Sequence, residues 1–350
     1  MPATFETHYQ RGTLSRREFS SMVTAAVTAA LAGAINGCGR NESSVTQPDY
    51  EVLAEGLRFP EGPVAMNDGS VLLVEIERGT LTRIDTDGNN DVVAAVGGGP
   101  NGAAIGPDGA CYICNNGGAK FTEADGMLYY RGTADDYSGG RIERVELDSG
   151  RVDVIYEEVN GNALSTPNDL VFDADGGIWF TDLGASRARD RDHGGVYYAR
   201  ADGSLIEEVV YPLNTPNGIG LSPDGATLYV AELITARLLA FGIEGPGRLD
   251  FGPGPMPGRF IAAAEGRPLF DSMAVEANGY VNIATPLGGV VHRISPKDGR
   301  VMTIPMPGVS PTNICFGGPD MRTAYITLGT SGKLIAMQWP GAGLTLNYTA

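Results

Sequence analysis

Six side chains in this sequence share one setting. Glu61, Asn101, Asn168, Asn217, Asp271 and Asn313 each stand near the start of a segment built in the same way: a polar residue, an alternating apolar run, a turn rich in Asp, Asn and Gly, then a second apolar run. "TPNDLVFDADGGIWFTD" (Thr166 to Asp182) and "TPNGIGLSPDGATLYVAE" (Thr215 to Glu232) are the plainest copies. "FPEGPVAMNDGSVLLVE", "GPNGAAIGPDGACYICN", "FDSMAVEANGYVNIAT" and "PTNICFGGPDMRTAYIT" are looser ones. Carboxylates and amide carbonyls are hard oxygen donors, which favour calcium or magnesium over zinc or copper. Glu61 and Asp271 together neutralise one divalent ion. The chain has only three His, at positions 8, 193 and 292, which argues against a His-based zinc centre. A metal held by few ligands keeps positions open for water and substrate. The chemistry that follows most directly is hydrolysis of an activated ester such as a lactone.

For six residues spread over the chain to act together, the fold must bring them to one point. The key residues lie roughly 40 to 67 positions apart. Periods of this order with several strands per repeat indicate β-propeller blades. A single blade is a small antiparallel sheet that cannot bury both of its faces, whereas six packed radially bury one another. The Asp-Gly and Asn-Gly turns supply the positive φ of tight hairpins. Strand pairs between the copies, such as "GTLTRIDTDG" and "GGVYYARADG", are the expected outer strands. The reading is an all-β, six-bladed β-propeller with a central metal site. Each innermost strand starts at the channel mouth, so the polar residue opening each segment points at the axis. Proline fixes φ and lacks an N–H, which suits a strand entrance. "YEVLAEGL" (Tyr50 to Leu57) precedes the first copy and is expected to close the ring on the last blade.

Composition agrees with this. The 50 Gly and 22 Pro are dispersed along the 350 residues, as many short strands and tight turns require. A formal charge of −17 repels phosphate backbones, so nucleic acid is not an expected partner. Of the four Cys, Cys111 and Cys114 form a C-x-x-C in "GACYIC". That stretch reads as a strand, where residues three apart face opposite ways, so two separate core thiols are expected.

The first residues read as an address. "SRREFSSMVTAAVTAALAGAINGCG" carries Arg16, Arg17 and Phe19 ahead of an Ala/Val/Thr-rich stretch too short and too weakly apolar for a good membrane span. It resembles a twin-arginine export signal. Ile35-Asn36-Gly37-Cys38 resembles a lipobox, with Cys38 as the lipidated residue; an ordinary cleaved signal is the other reading. The expected division is an export signal over 1–38, a polar tether over 39–49 and a propeller over 50–350, in the periplasm or anchored on the outer side of the cytoplasmic membrane.

The motifs "PEGPV", "TPNDLVFDADGGIWFTD", "TPNGIGLSPDGATLYVAE", "FDSMAVEANGYVNIAT" and "TNICFGGPDMRTAYIT", in this order over about residues 50 to 340, resemble the gluconolactonase / senescence marker protein (regucalcin) family of six-bladed, metal-dependent propellers. The resemblance implies metal ligands at Glu61, Asn168, Asn217 and Asp271, with Asp271 also the general base. It implies one divalent ion, calcium first, with zinc, magnesium or manganese as alternatives. Family members acting on sugar-acid lactones can carry an Arg two residues before the first ligand Asn; here that residue is Thr166, which argues against gluconolactone itself. Asn101, Thr166, His193 and Asn313 are the expected substrate contacts. His193 is drawn from the loop "LGASRARDRDHGG" (Leu183 to Gly195), which together with "FTEADGMLYYRGTADDYSGG" (Phe121 to Gly140) is expected to set specificity.

The leading function is an exported, monomeric, metal-dependent lactonase acting on a small-molecule lactone. An organophosphate or aryl-ester hydrolase on the same site, a non-catalytic calcium- or ligand-binding propeller, and a strictosidine-synthase-like condensing enzyme are the alternatives; the full Glu/Asn/Asn/Asp set argues against the last. For the address, replacing Arg16 and Arg17 by Lys should leave precursor in the cytoplasm. Cys38→Ala should move the mature protein out of the membrane fraction. Unchanged export in the first variant, or no fatty-acid label on the parent at Cys38, overturns the corresponding reading.

Overall fold

The computed structural model describes residues 48–349, apart from 188, 255, 256 and 267, so Arg16, Arg17 and Cys38 lie outside the described residues. The alternating segments form strands, and no helix occurs among the described residues. They assemble into a six-bladed β-propeller. Blade three shows the pattern: Pro167–Phe172 is innermost, followed outward by Gly177–Asp182, Gly194–Arg200 and Ile206–Leu213, each antiparallel to the last. The other innermost strands are Pro60–Ala65, Pro100–Ile105, Pro216–Leu221, Met273–Val275 and Pro311–Gly317. The outer strands expected in "GTLTRIDTDG" and "GGVYYARADG" are the third strands of blades one and three.

The ring closes as its first strand requires. Tyr50–Ala54 pairs with Lys333–Gln338, with Tyr50 opposite Met337, so blade six is built from both ends of the propeller.

Burial explains why the strands read as apolar on both faces. The described core falls into six clusters, each lying between neighbouring blades. Trp179 and Tyr198 of blade three, for example, meet Leu228 and Phe241 of blade four. Truncating one of these aromatics to Ala would cost about 3–5 kcal/mol, the usual figure for a filled core site. Cys111 faces the cluster between blades one and two, and Cys114 the one between two and three. They are separate, free, buried thiols. Burial pushes Cys111 up to about 12, so it is inert at neutral pH.

The C-terminal segment crosses the end of the channel away from the axial residues. Leu344 donates its N–H to Val275 of blade five (2.9 Å). Asn347 donates to the Phe172 carbonyl of blade three (2.8 Å), and Tyr348 sits edge-on to the Phe172 ring. In a ring of six, blades six and three are opposite, so this segment spans the lower opening. Its root is held by a buried network. Glu276 accepts two hydrogen bonds from Arg293 (2.6 Å each) and one from the Trp339 indole (3.1 Å), while Arg293 stacks on Tyr280.

Burial raises the Glu276 carboxyl, but the hydrogen bonds and charge of Arg293 outweigh it, and the group titrates below its ordinary range. A depressed carboxylate stabilises the fold above its unfolded pKa and loses that contribution as pH falls through its folded pKa. Arg293→Met should therefore cost about 3–5 kcal/mol near neutral pH, the usual cost of stranding a buried charge. The loss should shrink at a pH below the ordinary carboxylate range, where the Glu276 carboxyl left without Arg293 takes up a proton. Urea midpoints of parent and variant at the two pH values measure this; an undiminished loss at low pH would mean that Arg293 acts through packing alone.

Candidate metal centre

The axial residues are delivered by one recurring irregularity. In five of the innermost strands the ladder to the second strand slips at the polar residue, between Glu61 and Val64, Pro100 and Ala103, Pro167 and Leu170, Pro216 and Ile219, and Pro311 and Asn313. A bulge bends the strand and re-aims a side chain. In blade five Asp271 precedes the strand and is held by its N–H to the Ala284 carbonyl (3.0 Å).

The residue after the axial one decides how closely the strands converge. At Gly62 and Gly102 a Cβ would lie 2.6 Å from the carbonyl oxygen of Asn101 and of Asn168, respectively, in the next blade. At Gly218 it would lie 2.7 Å from the Asp271 carbonyl. These glycines let the inner backbones touch.

The end of the second strand fixes the mouth. Asp182 accepts from the backbone N–H groups of Ser165 (2.6 Å), Thr166 (2.8 Å) and Gly184 (3.0 Å), clamping the residues just before Pro167. Glu75 does the same for Arg58 (2.7 Å), Asn115 for Gly99 (2.8 Å) and Glu232 for Asn214 (3.0 Å).

Glu61, Asn101, Thr166, Asn168, Asn217 and Asp271 all line one cavity of about 270 Å³ at the open end of the axis. All but Asp271 are buried, and Asp271 is half-buried. Asn313 is placed differently from the expected substrate contact. It is not among the residues lining the cavity; its amide donates to Glu61 Oε2 (2.8 Å), beside the Gly62 N–H (2.8 Å), and so it orients Glu61. His193 also departs from expectation. It is exposed and stands edge-on to Tyr211 at the outer edge of blade three, because the loop ending in it folds back on itself through Arg187 and Asp192. Among the described residues of Leu183–Gly195, only Leu183 reaches the cavity. Phe121–Gly140 is less a loop than a hairpin: Ala119–Ala124 pairs with Met127–Thr133 and presents Tyr129, Tyr130 and Arg131 to the mouth.

A third axial carboxylate went unread in the sequence. Asp169 stands where Gly62, Gly102 and Gly218 stand in other blades, and it is buried. Its signal was the Asp of "PND" in place of the Gly of "PNG". The three acids perturb one another. Burial first, then the charge of Asp271, pushes Glu61 well above the ordinary carboxylate range, against the pull of Asn313 and Gly62. Burial pushes Asp271 up to about 8, opposed by the Asn217 amide and reinforced by Asp169. Burial also pushes Asp169 up to about 7. Among the described residues no Lys, Arg or His hydrogen-bonds to any of the three.

These features fit a hard divalent cation. The Asn168 Oδ1 is buried without a hydrogen-bond partner, as is the Thr166 hydroxyl. A buried acceptor left unpaired beside clustered carboxylates lacks a positive charge, and a bound cation reverses the upward pKa shifts. Glu61, Asn168, Asn217 and Asp271 supply oxygens from four blades around the axis.

Comparison with known proteins places the fold. The chain is 29% identical over 208 residues to the lactonase drp35 of Staphylococcus haemolyticus, covering 59% of this chain and 57% of that one. It is 26% identical over 203 residues to the gluconolactonase of Zymomonas mobilis, covering 52% and 51%. The matches thus span little more than half the length of these relatives. A solved calcium-binding protein, regucalcin from Agrobacterium tumefaciens, shares the fold with a TM-score of 0.67 at 18% identity, over 85% of this chain and 95% of that one. The model of the SMP-30/Gluconolactonase/LRE-like region matches residues 59–330. That span holds all six innermost strands and every axial residue, and on it the chain belongs to the SMP-30/gluconolactonase/LRE-like family.

Proposed function

We propose that this protein is a divalent-metal-dependent lactonase that opens a small cyclic ester by attack of water. The observation that carries the reading is the cavity floor: Glu61 and Asp271 without a cationic partner, raised further by the buried Asp169 nearby, and a buried, unpaired Asn168 Oδ1, in a cavity open at one end. The names of the relatives, a gluconolactonase and a lactonase, support the ester-opening chemistry. The calcium-binding neighbour supports calcium as the ion. Glu61, Asn168, Asn217 and Asp271 would hold it. When bound, such an ion polarises the ester carbonyl and makes nearby water more acidic.

The chain's own residues do the rest. Glu61 is fixed by Asn313 and the Gly62 N–H, so its carboxylate does not reorient when substrate enters. The unpaired Thr166 hydroxyl donates to a substrate oxygen. Asp271 takes a proton from the attacking water as the new C–O bond forms at the carbonyl carbon. The ring C–O bond breaks, and the proton passes to the leaving ring oxygen, which yields an open hydroxy acid. Export through Arg16 and Arg17, with anchoring at Cys38, is proposed on the sequence alone.

Asp271→Asn retains the size and one oxygen but removes the base. It should lose roughly 100-fold or more in turnover, a typical general-base contribution. Protein stripped with chelator should lose hydrolysis of five- and six-membered lactones, and calcium should restore it. Calcium at a hundredfold excess over its Kd should also stabilise the stripped protein by about 2.7 kcal/mol, read as a rise in Tm. Asn313→Ala should weaken that stabilisation by freeing Glu61. Hydrolysis that persists without metal, or an Asp271→Asn variant as fast as the parent, would sink the mechanism. Calcium stabilisation without turnover of any ester would favour a binding propeller.

A further inference from the structure

We infer that the substrate is a lactone bearing an apolar substituent, with the ester on the polar floor and the substituent against an apolar collar at the mouth. The inference rests on the lactonase reading above and concerns only which lactone the cavity takes.

The collar has a simple origin. The first residue beyond the second strand of each blade turns over the mouth, just above the axial residues. In four blades it is apolar: Ile76, Leu183, Leu233 and Pro286, and all four line the cavity. Two further wall residues, Phe59 and Leu287, have left-handed backbones, with φ of 58° and 63°. Such a conformation is a genuine outlier for a bulky residue and persists only where the surroundings enforce it. Leu287 is moreover 72% exposed. An apolar side chain held in water on a strained backbone adds nothing to the core, but it offers a contact to a ligand.

The hairpin extends this wall. Phe59 packs on Phe121 (ring centroids 4.9 Å apart), and Phe121 meets Tyr130 edge-on at 5.9 Å. Tyr130 is 47% exposed and lines the cavity. The hairpin leans from blade two to blade six, where the Leu128 N–H reaches the Thr330 carbonyl (2.9 Å). An aromatic run therefore leads from the floor to the lip.

The polar groups of the wall are largely engaged elsewhere. Thr330 donates to Ser310 (2.7 Å), Thr312 to the Pro60 carbonyl (3.2 Å) and Thr133 to the Ser186 carbonyl (3.2 Å), while Asn116 Oδ1 accepts from Gly118 (3.0 Å). A polyhydroxylated ring would leave water and find these four groups already bonded, with Arg131 at the lip and the Thr166 hydroxyl as the exceptions, and unmade hydrogen bonds are strongly discriminated against. An alkyl or aryl substituent loses nothing on this wall and gains burial.

The test uses three lactones of one ring size: δ-valerolactone, the same ring with a short alkyl chain, and a polyhydroxylated δ-lactone. With calcium-loaded protein the alkyl chain should raise kcat/KM by roughly tenfold or more over the plain ring, and the hydroxylated ring should fall below it. Leu287→Asp and Tyr130→Ser should each shrink the alkyl-to-plain ratio at least about threefold, a change in discrimination that loss of folded protein does not produce. A ratio near one, or a preference for the hydroxylated ring, overturns the inference while leaving the lactonase reading in place. The matched lactams, bound to calcium-loaded protein and followed by calorimetry, separate the two. A tighter alkyl lactam with no lactone turned over supports the collar and overturns the lactonase reading. No preference among the lactams overturns the collar whatever the turnover.

Discussion

Two carboxylates, Glu61 and Asp271, share the floor of one cavity with a third, Asp169, buried nearby, and the rest of the structure bears the consequences. Glu61, Asp169 and Asp271 come from three different blades, and charge on one disfavours charge on the next: Asp271 and Asp169 raise Glu61, and Asp169 raises Asp271. Nothing local resists this, since no cationic side chain among the described residues is bonded to any of them. The resistance is distributed. Six interblade clusters fill the wedges between sheets, the closing strand pairs Tyr50 with Met337, and the C-terminal segment bridges opposite blades beneath the channel. A ring closed by hydrogen bonds cannot relax at one blade without disturbing its neighbours. That rigidity keeps oxygens grouped around a space suited to a cation, rather than scattering to solvent.

The same constraint accounts for the backbone at the axis. In three of the six blades the strands meet too tightly for a Cβ after the axial residue, hence Gly62, Gly102 and Gly218. They must also aim a side chain along the channel rather than across the sheet, hence a slipped ladder at five of the six positions. The clamps from Glu75, Asn115, Asp182 and Glu232 then hold the entering chain in the one orientation that keeps the bulge.

Much of this was legible in the sequence, because it repeats. The blades, the closing strand, the two unpaired thiols and the axial positions of Glu61, Asn101, Asn168, Asn217 and Asp271 follow from one pattern spelled six times. What escaped did not repeat, or repeated in residues read only as strand ends. An acid follows the axial residue in one copy alone, at Asp169, where three other copies have glycine. Asn313 has the right type and place, but its amide is spent on Glu61. His193 was assigned by chemistry and nearness in sequence, and the loop's own ion pair turns it outward. The hairpin over the mouth looked like a loop because "FTEADG" and "MLYYRGT" carry charge and glycine on their exposed faces, with few residues that a core would select.

The division between repeated and unrepeated parts is also a division of labour. The floor is made of what all blades share, so its geometry is as precise as the ring is rigid. The mouth is made of what differs between blades: one hairpin, one exposed leucine, and the residue that follows each second strand. A substitution on the floor alters an arrangement that other blades help to hold and spreads its cost through the ring. A substitution at Leu287 or Tyr130 touches little of the core, because Leu287 stands largely in water and Tyr130 is about half exposed. The scaffold can therefore exchange one mouth for another without rebuilding the centre. On the proposed reading, the choice of substrate is carried by the part of the sequence in which the repeat is broken, as expected where specificity sits on segments displayed by a rigid frame.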